Sequence, residues 1–456
     1  MCLIVRSGIT VRSGTSPGGE PGRKPPCEEK IMKNYPKLVS MFAVLVFAGA
    51  PARAQEPRAA AKKAKLADLE AEAERGNPRI QAARHAWRAA AQVPSQVSTL
   101  PDPQVMVQQF SVGSPRPFAG FSNSDFAYIG FGFSQDLPYP GKLHLRSEVA
   151  QREADVVEER YESVRRTVLG DLKAAYFRLG YIDQTLAILE RDSQLLREIE
   201  QAAEARYRSG MGHQQDLLQA QLESTKLLRE VAIRRLEKGR LEAQLKQLLN
   251  RSQASPDLEA EPLAERPLSY SYDQLLAAAK AQNPGLRGME KMVERQKLQV
   301  DVARKDFYPD FNLQYMWQHN DEQFRDYYML TFSVRIPIYR QRKQQHELAQ
   351  AQEELARSRR EYESQEQQTA LDLRDQYLTA EKSAELLKLY REGLVPQAQA
   401  ELQAGLASYQ ASRQDFQALR TSFHDVLNLD EEFWQSVAEH ETALARLEEL
   451  TGLELR

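Results

Sequence analysis

Few side chains in this 456-residue chain are spaced for catalysis or for holding an ion. The seven histidines are scattered, and none belongs to an HExxH motif or to another pair with zinc-ligand spacing. The sequence has neither a glycine-rich phosphate loop nor a Gly-x-Ser-x-Gly nucleophile motif. Its acidic residues lie at helical spacing from Arg and Lys, which predicts solvated ion pairs rather than catalytic carboxylates. We therefore expect no enzymatic activity, no cofactor and no metal site.

The first 54 residues carry a pattern typical of protein export. Basic residues precede an apolar run of about 11 residues, too short to cross a bilayer, which takes about 20. The run is followed by Ala52-Arg53-Ala54, the small residues of a cleavage site. We predict an upstream extension over 1–31 and a signal peptide over 32–54, with an N-terminal membrane anchor as the alternative. Both cysteines, Cys2 and Cys27, would be removed with them.

The rest of the chain contains one pattern twice, about 200 residues apart. Asn77-Pro78 opens the first copy and Asn283-Pro284 opens the second. A period of about 200 residues is far longer than the roughly 20–50 residues of solenoid repeats, so a duplicated half-molecule is the better interpretation. We predict a first repeat over 66–250, a linker over 251–271 and a second repeat over 272–452.

Each half has two segments of alternating polarity, the pattern of strands with unlike faces. We predict strands over about 104–112, 126–137, 311–319 and 327–337. Strands of about ten residues with one apolar face match those of outer-membrane barrels, but they also fit a soluble sheet packed on a core. Four strands are too few to enclose a wet channel, so a barrel would need several copies of the chain.

Each half also has two long stretches rich in helix-forming residues. We predict helices over about 143–206, 215–250, 342–408 and 415–450. In the first helix, apolar residues recur at alternating steps of four and three, which predicts a coiled-coil seam; they are Val168, Leu172, Ala175, Leu179, Ile182, Leu186 and Leu189.

The long helices must be interrupted or reversed at three places. Pro396 lies inside the third helix, where we expect a kink or local unwinding. The first reversal, 208–213, contains two glycines, which favour turns. The second, 408–414, has none, so we expect it to be tighter or more helical than the first.

In this order, the features resemble the TolC-like outer membrane efflux family, over about residues 66–452. The resemblance is carried by the two Asn-Pro openings, the strand end Gln135–Lys142 with its counterpart Ile336–Tyr339, and the tip motif Tyr207-x-x-Gly210. It implies a mainly α fold with a small β part. It further implies a homotrimer in which twelve strands form one outer-membrane β-barrel, continued by a periplasmic α-helical tunnel.

The function implied by the resemblance is export across the outer membrane. Such a channel extends into the periplasm and serves a tripartite efflux or type I secretion system, with a periplasmic adaptor and an inner-membrane pump as partners. The residues of these motifs are most similar to those of metal-efflux members, so the cargo is expected to be metal ions or drugs. With a net charge of −3, a nucleic-acid partner is not expected. The alternative is a periplasmic coiled-coil scaffold or adaptor without a channel.

The resemblance also implies that polar contacts between the helix tips hold the channel closed. By motif position, Asp216 and Tyr409 form a candidate latch pair, and Tyr207, Gly210 and Asp415 complete the candidate tip and gate. The alternative is that Tyr409 caps a coiled-coil end while Asp216 is a favourable first-turn charge. Family members often have aspartates around the aperture, but the corresponding stretch of this chain, 417–420, has none.

Overall fold

The computed structural model describes residues 62–111, 126–320 and 325–455. The predicted upstream extension and signal peptide, 1–31 and 32–54, lie outside the described residues, as does the end of the first predicted strand at residue 112. Within the described ranges, no helix is both long and apolar enough to cross a membrane.

Within the described residues, six strands form two separate sheets. The parallel pair is β1, Lys62–Ala64, with β4, Leu258–Ala260. The other four strands are β2, Gln104–Phe110, β3, Tyr128–Leu137, β5, Asp310–His319, and β6, Tyr327–Arg335. They form one antiparallel sheet in the order β2-β3-β5-β6. The two halves of the chain are therefore joined at the central β3–β5 pair.

The long helices form one antiparallel pair in each half. The first pair is α4, Lys142–Arg208, with α5, Gln214–Leu248, and the 67 residues of α4 extend about 100 Å at 1.5 Å per residue. The second pair is α8, Gln344–Leu389, and α9, Val395–Gln410, against α10, Phe416–Thr451. Shorter helices complete the fold: α1, Leu66–Gly76, α2, Pro78–Ala90, α3, Val93–Ser98, α6, Tyr272–Gln282, and α7, Pro284–Lys305. The predicted mainly α fold with a small β part is confirmed.

The predicted helix 342–408 is divided near Pro396. A five-residue π-helical turn, Tyr390–Leu394, separates α8 from α9, and Pro396 lies in the first turn of α9. Proline has no N–H to donate and its ring crowds the carbonyl four residues earlier, so regular α-helical bonding fails just before it. The π-helical turn accommodates the missing α-helical hydrogen bond, and the chain continues as a helix on both sides of it.

The two Asn-Pro openings have the same structural role in each half. Asn77 caps α2, accepting from the Arg79 N–H at 2.8 Å, and its amide nitrogen donates to the Leu248 carbonyl at 2.8 Å. Asn283 caps α7 and donates to the Leu450 carbonyl at 3.0 Å. Each asparagine therefore ties the start of a short helix to the far end of the last long helix in its half.

The predicted linker 251–271 is packed against the long helices and is not a free connection between the two repeats. It contains β4, and a Cβ added at Gly180 of α4 would lie 2.7 Å from a methyl group of Leu263. Arg266 donates to the buried carboxylate of Glu441 at 2.6 Å. These contacts hold the two halves together along α4 and α10.

The sheet meets the helices at a cluster of ion pairs around one buried lysine. Lys142 opens α4, is only 3% exposed, and lies 2.9 Å from Asp310 and 3.3 Å from Asp306. Nearby, the Tyr139 and Tyr308 rings stack on each other with centroids 4.6 Å apart, and the Lys305 ammonium lies 5.4 Å from the centre of the Tyr139 ring. Because charges that leave water need partners, this arrangement fixes the point where β3 ends and β5 begins.

Candidate functional site

Two turns of equal length close the ends of the helix pairs: 209–213 between α4 and α5, and 411–415 between α9 and α10. Their backbone bonds match, since the Gly210 N–H donates to the Tyr207 carbonyl and the Ser412 N–H to the Tyr409 carbonyl, both at 3.0 Å. Gly210 has φ +75° and Ser412 has φ +59°. The expectation of a tighter or more helical second turn is therefore wrong. Ser412 adopts the left-handed conformation itself, which costs roughly 1–2 kcal/mol in a residue with a Cβ.

Tyr409 connects the two tips. Its side chain is 0% exposed, and its hydroxyl donates to Oδ2 of Asp216 at 3.3 Å. Its ring packs edge-on against Phe416, with centroids 5.7 Å apart. The structure thus brings together the two residues that the resemblance paired, from α9 and α5.

Arg206 of α4 holds Tyr409 from the other side. Its guanidinium carbon lies 4.2 Å from the centre of the Tyr409 ring, and its Nη1 donates to the Tyr409 carbonyl at 2.9 Å. A cation over an aromatic ring contributes roughly 0.5–2 kcal/mol, more as water is excluded. Sequence reasoning missed Arg206, although it directly precedes the predicted Tyr207.

Burial keeps the Tyr409 hydroxyl protonated. Loss of solvent, followed by the negative charge of Asp216, raises the pKa of Tyr409 to about 12. The hydroxyl therefore remains a neutral donor to the Asp216 carboxylate throughout the neutral range.

The other predicted tip residues lie outside this contact. Tyr207 has the same place in the first turn as Tyr409 has in the second, yet its side chain is 44% exposed. Gly210 provides the left-handed turn residue. Asp415 accepts a hydrogen bond from the Ala418 N–H at 2.8 Å and so caps α10. Repetition in sequence therefore does not make the two tips equivalent.

A second polar contact joins α5 to α10, two helical turns beyond Asp216. Glu223 is 4% exposed and accepts hydrogen bonds from Lys226 at 3.0 Å and from Arg420 at 3.2 Å. His424 Nε2 lies 3.2 Å from its other carboxylate oxygen. Burial opposes the charge on Glu223, but the hydrogen bonds from Lys226 and Arg420 outweigh it and hold the pKa of Glu223 below its usual value.

Sequence reasoning also missed this cluster around Glu223. The available signal was that Glu223 follows Asp216 by seven residues on one helix face, and that Arg420 and His424 are four residues apart. Nothing in the spacing shows that these two faces meet.

The four-stranded sheet has two unlike faces. Large apolar side chains on one face are exposed, among them Val105 at 82%, Leu330 at 70% and Phe332 at 61%. Aromatic pairs run across this face, with Phe131 stacked on Trp317 at 6.1 Å. The alternate positions form the other face, which is mostly polar: Gln104, Gln108, Ser134, Asn312, Gln314, Gln318, Thr331 and Ser333.

In the described parts of the chain, no three His, Cys, Asp or Glu side chains are grouped as metal ligands. The titratable groups at the tips instead bind one another across helices.

Three solved structures illustrate the similarity of the fold. The outer-membrane channel OprN has a TM-score of 0.72 at 15% identity, covering 85% of this chain and 89% of its own. The outer membrane protein VceC of Vibrio cholerae gives 0.71 at 16% identity, covering 86% and 97%. The MtrE outer membrane channel of Neisseria gonorrhoeae, in its open state, gives 0.70 at 15% identity, covering 86% and 89%. At these identities the likeness shows the fold alone.

The family model gives the assignment. No curated protein sequence matches this chain. The model of the outer membrane efflux protein family matches residues 69–251 and 275–448, which is most of the chain and both repeats. The resemblance found in the sequence is confirmed, and the chain belongs to the outer membrane efflux protein family.

Proposed function

We propose that three copies of this chain form one outer-membrane efflux channel, with a twelve-stranded barrel and a periplasmic helical tunnel that is closed at its tips. The main support for this proposal is the four-stranded sheet. β2 and β6 lie at its two edges, and its apolar face is exposed. Edge strands present unpaired N–H and C=O groups that pair readily with another strand. In lipid every such group needs a partner, which favours closure of the sheet across neighbouring copies.

The polar face of the sheet would then line the conduit. Glutamine, asparagine, serine and threonine side chains can hydrogen-bond to water, whereas the opposite face suits lipid. A wet path of this kind lowers the barrier to passage, but a passive pore can only equilibrate its solutes. Direction would come from an inner-membrane pump, reached through a periplasmic adaptor, as in a tripartite efflux system. Metal ions or drugs remain our proposed cargo.

The contact between Asp216 and Tyr409 would act as the latch that keeps the tips together. It links α5 to α9 within one copy, and three copies would repeat it around the aperture. Separating these helices would break this hydrogen bond and would also expose part of the apolar cluster that Tyr409 shares with Ala220 of α5 and Leu419 of α10. The cluster around Glu223 would support the same closed arrangement two turns away.

The assembly can be tested with the mature chain purified in detergent. We expect a trimer by light scattering, a heat-stable trimer band on gels, and discrete conductance steps in planar bilayers. A water-soluble monomer obtained without detergent would contradict the proposal and would favour the coiled-coil scaffold that the sequence left open. A detergent-soluble trimer that never conducts would leave the assembly but remove the channel.

A further inference from the structure

Three methionines lie in one row across the polar face of the sheet. The strand register places Met106 of β2 and Met316 of β5 on either side of Gly132 of β3, and Met329 of β6 directly opposite Met316. The chain has nine methionines, of which six follow the predicted signal peptide. Half of those six therefore fall on a single line across the sheet.

The neighbours of this row make the methionines unusual. The next residues along each strand on the same face are glutamine, serine, threonine, glycine and tyrosine: Gln104, Gln108, Gly130, Ser134, Gln314, Gln318, Tyr327 and Thr331. Apart from Phe110, which stacks on Tyr128 at one end of this face, the other large apolar side chains of the sheet are on the opposite face, so contact with lipid does not explain the row. Methionine often fills gaps in a core. Here, however, Met329 is 41% exposed and borders no core cluster within the described residues.

Two glycines let the central thioether reach across β3. A Cβ added at Gly130 would lie 3.1 Å from Sδ of Met316, and one added at Gly132 would lie 3.2 Å from the Met316 Cα. The Met316 sulfur therefore lies over Gly130 of β3, which is paired with Gln108, the next residue after Met106 on the same face of β2. The Met316 side chain is only 2% exposed. Its sulfur accepts a weak hydrogen bond from Gln318 Nε2 at 3.7 Å, which a bound ion would replace.

We propose that Met106, Met316 and Met329 form a binding site for a soft monovalent cation, Cu(I) or Ag(I). Thioether sulfur is a soft ligand that selects such ions over Mg²⁺, Ca²⁺ or Mn²⁺, which prefer oxygen. Directly opposed residues on antiparallel strands have Cβ atoms about 4.5–5.5 Å apart, so Met316 can share one ion with Met329 when its sulfur turns from β3 towards β6. Methionine has three rotatable bonds, which allows Met106 to approach from beyond Gly132.

This proposal rests on the proposed channel and specifies its cargo. In a trimer the row would occur three times around the conduit, on the face that solutes pass. Uncharged ligands suit this role, because a transported ion must bind well enough to enter and weakly enough to leave.

Two reciprocal triple variants test the site in the purified mature protein. Met106→Leu/Met316→Leu/Met329→Leu removes the row. Met211→Leu/Met289→Leu/Met292→Leu makes the same three exchanges elsewhere and leaves the row as the remaining thioethers of the mature chain. The probe is silver nitrate in chloride-free buffer, followed by calorimetric titration and by silver-edge X-ray absorption.

We expect the wild type and the second variant to bind Ag(I) through sulfur, about one ion per chain, and the row variant to bind at least about tenfold more weakly. Equal affinity in the two variants, or absorption spectra without sulfur ligands, would overturn the site. Single-channel recordings on the same preparations separate this result from the channel itself. A protein that conducts but binds no Ag(I) contradicts only the site, whereas one that binds Ag(I) but never conducts contradicts only the channel.

Discussion

Tyr409→Phe should shift the tip strongly towards its open state, because it removes one atom and little else. The ring would keep its contacts with Phe416 and Arg206, while the hydrogen bond to Asp216 would be lost. Hydrogen bonds to charged groups contribute about 1.5–3 kcal/mol, and this one is long at 3.3 Å, so we take about 1 kcal/mol per chain. Three chains then give about 3 kcal/mol, or roughly a hundredfold change in the ratio of open to closed channels.

Single-channel recording in planar bilayers measures this ratio directly. Tyr207→Phe is the matched control, since it removes the same atom from the exposed counterpart in the first turn and should leave gating unchanged. Asp216→Ala combined with Tyr409→Phe should add little to the single substitution, because both remove one shared contact. An intact trimer whose open probability is unchanged by Tyr409→Phe would refute the latch.

Three further predictions follow from other contacts. Glu223→Gln should weaken closure by about 1–2 kcal/mol and remove part of its acid sensitivity. Since the pKa of Glu223 is lowered in the folded protein, its contribution to the closed tip is present above about pH 4.3 and is lost as the pH falls further. Single-channel recordings from pH 7 to 3 that are identical for the wild type and for Glu223→Gln would contradict this. Gly210→Ser should destabilise the tip by about 1 kcal/mol, because among the described residues no atom lies within 4 Å of the added Cβ and only backbone strain acts. Ser412→Gly should instead stabilise the tip. If both substitutions shift the melting temperature in the same direction, backbone strain is excluded as the cause. Gly132→Ala would place a Cβ 2.5 Å from the Tyr315 carbonyl oxygen and should abolish the heat-stable trimer, whereas an unchanged trimer would show that the β3–β5 pair tolerates the side chain.

The elements that follow local rules could be predicted from the sequence. The seam residues of α4 were identified by their four-three spacing, and all but the half-buried Leu186 are buried. Alternation predicted the strands, and proline chemistry predicted the interruption near Pro396. Helical periodicity and strand alternation depend on the next few residues of the chain, so they can be read without knowing the fold.

The short helices were less accessible from the sequence. The pattern showed where Asn77 and Asn283 open each half, but not that each also binds a carbonyl at the end of a long helix, about 170 residues away. We predicted no helix over α7, although its 22 residues make about six turns.

Only the tertiary structure determined which surfaces meet. Tyr207 and Tyr409 occupy the same position in the repeat, yet one is exposed and the other buried, because Arg206 and Asp216 surround Tyr409 alone. The cluster around Glu223 and the methionine row across the sheet join residues roughly 200 positions apart. Such contacts depend on strand register and on the rotation of one helix against another. A shift of one residue in the register would turn each methionine to the opposite face.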